Sequence, residues 1–147
     1  MKYQRPGYFN ARIGNGLLML LIRLGMSPAG AQMLAVRGRR SGETRTVPVN
    51  PVTVDGTQYL LAPRGNTEWV RNLRAAGEGE LRVGGKRARF RAEEIGDAEK
   101  PPVIRAYLKR WIGQVRAFFP GVGGDSPDDA LLSIAPEHPA FRLTPMA

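Results

Sequence analysis

Apolar residues along this chain recur at two periods, and the period changes several times. Near the start, Phe9, Ile13, Leu17, Leu20 or Leu21, and Leu24 fall at helical spacing, with Arg12, Asn15, Gly16 and Arg23 opposite. That pattern predicts an amphipathic helix within residues 1–26, packed on a core or lying on a membrane surface. Residues 32–37 read as a strand, broken by the turn-forming run Gly38-Arg39-Arg40-Ser41-Gly42. Residues 44–54 are extended: β-branched side chains dominate, and Pro48 and Pro51 forbid a helix and favour a sheet edge or a bulge. Asp55-Gly56 predicts a hairpin into a strand over 58–62. A short helix follows over 67–76, capped by Asn66 or Thr67, with Trp69, Val70 and Leu73 on one side. Residues 81–83 and 87–95 form another hairpin around Gly84-Gly85, and Arg87, Arg89 and Arg91 share one face of its second arm. A helix over 97–116, a loop over 120–127, a helix over 128–135 and a strand over 141–144 complete the pattern. Strands joined mostly by hairpins predict an α+β protein, with an antiparallel sheet or small barrel and flanking helices.

The 147 residues suit one domain spanning 1–147. Within it the helix occupies 1–26, the barrel strands 32–95, further helices 97–135 and a last strand 138–145. The N-terminus imitates a signal peptide, but Arg23 interrupts the apolar run, so the expected location is the cytoplasm, with loose membrane contact through the first helix. There is no cysteine, and His138 is the one histidine. Thiolate metal sites, disulfides, cysteine nucleophiles and multi-histidine metal centres are therefore excluded. Flanked by Glu137 and Pro139, His138 reads as an exposed loop residue.

Net charge is +9, and Arg accounts for all but four of the 22 cations. Such an excess predicts an anionic partner, and Arg suits phosphates and carboxylates best. A GC-rich genome would produce the same bias with no function attached.

Two stretches concentrate the candidate chemistry. The run 37–45 has two glycines to free its backbone, the Ser41 hydroxyl, and Arg39, Arg40 and Arg45 as anion forks. It lacks the spacing of a nucleotide-binding P-loop, and a solvated basic turn would look alike. The run 62–74 puts Gly65 and Arg64 at a strand-to-helix junction, where free N–H groups and the positive helix end attract anions. The plain alternative puts Trp69 in the core. Asp125, Asp128 and Asp129 read as helix caps, and Arg105, Lys109, Arg110 and Arg116 as a solvated face. With no acid–base set, a cofactor must bring any reactivity.

Residues 36–49, Val-Arg-Gly-Arg-Arg-Ser-Gly-Glu-Thr-Arg-Thr-Val-Pro-Val, resemble the signature of the deazaflavin-dependent nitroreductase family, actinobacterial split β-barrels also described as quinone reductases. The later Trp69-Val70-Arg71-Asn72-Leu73-Arg74-Ala75 is similar to a second motif of that family, in the same order. The resemblance implies a split β-barrel of about six strands and coenzyme F420, ahead of FMN, as cofactor. It assigns the cofactor's anionic tail to Arg39, Arg40, Ser41, Gly42, Arg45 and Arg64. The deazaflavin ring would lie against Thr46, Val47, Pro48 and Val49 and the backbone near Leu61 and Ala62. Asn72, Trp69 and Phe119 would stand beside the ring or on the acceptor side. The implied reaction passes a hydride to a small quinone, nitro compound or enone, in a monomer or homodimer with no nucleic-acid partner. Three departures stand out: Pro63 replaces a serine, the junction 64–69 is short, and Phe118-Phe119 replaces a tyrosine-rich cap, which leaves no phenol at the site. Those departures keep a second reading open, a barrel that binds a lipid, another flavin or haem without catalysis. A third uses Arg87, Arg89 and Arg91 on nucleic acid, but aromatic residues do not interleave there.

Overall fold

Only two residues, Asn50 and Pro51, separate strands that lie at opposite ends of the sheet. The computed structural model describes residues 31–147; the first helix and its membrane contact fall outside them. The strands are β1 (Gln32–Arg37), β2 (Thr44–Val49), β3 (Val52–Val54), β4 (Thr57–Leu61), β5 (Glu78–Val83), β6 (Lys86–Glu94) and β7 (Ala140–Pro145). They pair antiparallel in the order β2-β1-β5-β6-β7-β4-β3. Three Cα–Cα steps span at most about 11 Å, so the β2 and β3 edges must approach one another. The sheet therefore curls into a barrel left open along that seam, the split barrel expected. The predicted single strand 44–54 is two strands, which raises the count to seven. The break falls at Asn50-Pro51, while Pro48 lies inside β2 opposite Met33; each half is a sheet edge, where a missing N–H costs no ladder bond.

Among the described residues three α-helices flank the sheet: α1 (Glu68–Ala76), α2 (Lys100–Val115) and α3 (Asp128–Ile134). Strand alternation feeds two cores. Leu34, Val36, Leu60, Phe90, Phe141 and Leu143 join Val70 and Leu73 of α1 inside the barrel. Leu61, Val52 and Ala140 face outward instead, onto Ile104, Tyr107, Leu108 and Trp111 of α2. Tyr107 and Trp111 lie one turn apart on the same helix face, and Trp111 Nε1 donates to the Pro51 carbonyl at 3.4 Å, which fastens α2 to the seam. Asp55 and Gly56 turn the β3–β4 hairpin with φ of 50° and 80°, the double left-handed turn that Asp-Gly favours.

Two polar residues are buried in the core, and one of them, His138, contradicts the reading of the sequence. Lys100 is buried at the start of α2, with Nζ bonded to Asp97 Oδ1 at 2.8 Å and to the Ala135 carbonyl at 2.9 Å. His138 is only 3% exposed, not a surface loop residue. Its ring stacks on Phe119 at 4.3 Å and its Nδ1 lies 3.1 Å from the Ala62 carbonyl. Burial pushes the imidazole below its usual pKa, with the Ala62 bond opposing the shift. The residue thus ties the start of β7 to the end of β4.

Candidate functional site: a basic loop and an apolar pocket at the barrel seam

The loop between β1 and β2 is built by its own backbone. Gly38 N donates to the Glu43 carbonyl at 2.8 Å and Gly42 N to the Gly38 carbonyl at 2.9 Å. Gly42 has φ +76°, and a Cβ on Gly38 would come within 3.0 Å of Ser41 Oγ, so neither position tolerates a side chain cheaply. Ser41 Oγ accepts from Glu43 N at 3.1 Å, which leaves the hydroxyl proton to donate outward.

This loop is clipped to α1. Asn72, 5% exposed, accepts at Oδ1 from the Arg39 backbone N at 3.1 Å and from Arg39 Nη1 at 2.8 Å. Arg39 Nη1 also meets Glu68 Oε2 at 2.8 Å, and that bond holds the Glu68 carboxyl below the usual range. Arg39, expected as an anion fork, is thus committed to the protein. Arg40 and Arg45 are exposed, with no hydrogen bond or ion pair to another described residue.

Beside the loop lies a cavity of about 780 Å³. Arg39, Arg40, Ser41 and Arg45 line one end; Thr46, Val47, Pro48 and Val49 of β2 form a wall. Leu61, Arg64, Trp69 and Asn72 complete the set that the sequence pointed to. Trp69 lines the cavity while packing on Phe141 at 6.1 Å. Gly42 lines instead a second depression, which shares Arg39, Arg40 and Ser41 with the first. Ala62 is fully buried, its N bonded to the Pro139 carbonyl and its oxygen to His138, so its backbone is occupied. Phe119 is 2% exposed and sits in the α2 core against Tyr107, while Phe118 reaches the cavity. Arg64 lies 5.1 Å over the Phe118 ring.

Sequence reasoning missed Asn50, Thr67, Tyr107 and Val115, which also line the cavity. The expectation that no phenol stands at the site is wrong: Tyr107 supplies one from α2. Thr67 is the N-cap of α1, yet its side chain caps nothing, and its buried Oγ1 has no partner. Among the described residues no group of His, Cys, Asp and Glu could hold a metal ion, and no helix is long and apolar enough to cross a membrane. Asp128, read as a cap, pairs with Arg105.

Residues 19–119 match the F420H(2)-dependent quinone reductase family. The chain belongs to that family. It is an F420H2-dependent reductase of a small-molecule substrate, and its cofactor is coenzyme F420. Solved structures of similar fold include an F420-H2 dependent reductase, 16% identical with a TM-score of 0.54 over 78% of this chain and 94% of that one. A FAD-binding protein from Mesorhizobium loti is also 16% identical, with a TM-score of 0.53 over 80% and 81%. The protein Rv2991 from Mycobacterium tuberculosis gives 16% and 0.52 over 88% and 79%. At such identities the likeness establishes the fold. Among curated proteins none matches significantly.

The cavity suits the F420 of this reductase family on its own chemistry. An orphaned hydroxyl at a helix N-terminus, a serine proton free to donate and two arginines that no other described residue pairs make an anion-seeking end. Val47, Val49, Leu61 and Trp69 add an apolar lining to the same cavity.

Proposed function

We propose that this chain holds the anionic tail of coenzyme F420 with Arg40, Ser41, Arg45 and Arg64, and its ring against Thr46–Val49, to reduce a quinone-type acceptor. The observation that carries this reading is the single cavity that joins the basic loop to an apolar pocket at the seam. When bound, reduced F420 supplies a hydride at a ring carbon. The protein's own part is orientation and exclusion of water. Thr67 and the N–H groups that open α1 would meet the cofactor's oxygens, while Gly42 and Ala62 have only indirect roles. Asn72 positions Arg39 and the loop and does not touch the ligand through its oxygen.

A calorimetric titration with oxidised F420, with FMN in parallel, tests the assignment. Binding of F420 in the micromolar range with none of FMN is expected, as is loss of F420H2 absorbance on adding a quinone. Preference for FMN, or no binding of F420, would overturn it.

A further inference from the structure

The seam end of the cavity carries a polar pair that the cofactor assignment leaves unused. Asn50 sits at the corner between β2 and β3, and Tyr107 comes from the middle of α2. Both line the cavity, with Val115 and Phe118 beside them. Tyr107 is held by packing on Phe119 at 6.0 Å and by the Trp111 bond one turn further along α2. Asn50 stands near enough to the phenol to oppose, in part, the effect of burial on its pKa. The phenol O–H has one proton to donate. Burial pushes the phenol above its usual pKa, so that proton stays in place at any ordinary pH.

We propose that Tyr107 and Asn50 form the acceptor's oxygen seat: the Tyr107 O–H donates to a carbonyl oxygen of a flat acceptor packed between Val115 and Phe118. This rests on the reductase reading and narrows its substrate class. A ring with a carbonyl at its edge satisfies both halves of the pocket, whereas an acceptor with no oxygen there leaves the phenol proton unpaired in an apolar wall, which is costly. Arg64, over Phe118, closes the same end and adds a positive charge near the phenol.

The test is calorimetric, on protein saturated with oxidised F420, with 2-methyl-1,4-naphthoquinone and 2-methylnaphthalene as probes. The parent should prefer the quinone. Tyr107→Phe should weaken quinone binding roughly 3- to 10-fold, the worth of one hydrogen bond, and leave the hydrocarbon and F420 unchanged. Phe118→Ala, a change at the cavity rim, should weaken both aromatic probes. A quinone-to-hydrocarbon ratio in Tyr107→Phe equal to the parent's would overturn the seat. So would Phe118→Ala binding both probes as the parent does. Failure of the parent to bind F420 at all overturns the reductase reading instead.

Discussion

Two regions of this protein are rich in arginine, and they differ in what surrounds the charge. On β6, Arg87, Arg89 and Arg91 share one exposed face, spaced by about 7 Å as strand geometry requires. Glu80 and Glu78 of the neighbouring β5 lie 3.9 and 4.0 Å from Arg87 and Arg89, so two of these cations are already answered on an open surface. In the β1–β2 loop the backbone turns back on itself, and Asn72 and Glu68 anchor Arg39 alone. Arg40 and Arg45 line a cavity and have no hydrogen bond or ion pair to another described residue. Charge density is similar in both regions. Only the loop combines concave shape with unanswered cations, and concavity is what lets several donors reach one anion.

The comparison breaks if the two regions behave alike toward the cofactor. The double substitution Arg40→Ala, Arg45→Ala should cost about 3 kcal/mol or more of F420 affinity, since each charge-assisted bond contributes about 1.5–3 kcal/mol. A calorimetric titration that finds parental affinity would remove the loop from the site. Asn72→Ala should lose about 2 kcal/mol of folding stability, because it leaves the Arg39 amide without its acceptor, and should loosen the loop enough to weaken F420 as well. Chemical denaturation beside the same titration separates the two effects. His138 sharpens the contrast from another side. Its folded pKa lies below the unfolded value of 6.5, so its stabilising contribution is present above about pH 6.5 and is lost as pH falls through the folded pKa. The melting temperature should fall between about pH 7.5 and 5.5, and fall less in His138→Gln. Smallest is the expected effect of Arg87→Ala with Arg89→Ala: under about 0.5 kcal/mol on either stability or F420 binding, as for ordinary surface pairs.

Much of the fold was legible because its cues are local. The Asp55-Gly56 turn, the strand at 32–37 and the helix opened by Thr67 all follow from residues within a few positions of each other. The corner at Asn50-Pro51 was not legible as a corner, since a proline in an extended run marks an edge without saying which edge. The basic loop and the strand-to-helix junction were visible as motifs, and both line the cavity. Tyr107 was invisible because its surroundings are assembled from Asn50, Arg64 and Phe119, far away in the chain. His138 was misleading for the same reason: the carbonyl it meets belongs to Ala62.

The amino-acid sequence by itself determined the strand and helix order, the exclusion of thiolate chemistry and the two motifs by which the family resemblance was read. Those depend on backbone preferences, residue type and short spacing, which act before any long-range contact forms. Only the tertiary structure decided which arginines remain free, which phenylalanine reaches the cavity and where a phenol stands. Each of those is settled by closing the sheet along the β2–β3 seam and packing α2 across it. Burial and hydrogen-bond satisfaction are properties of neighbours in space, and a chain's neighbours in space are not written at any one position.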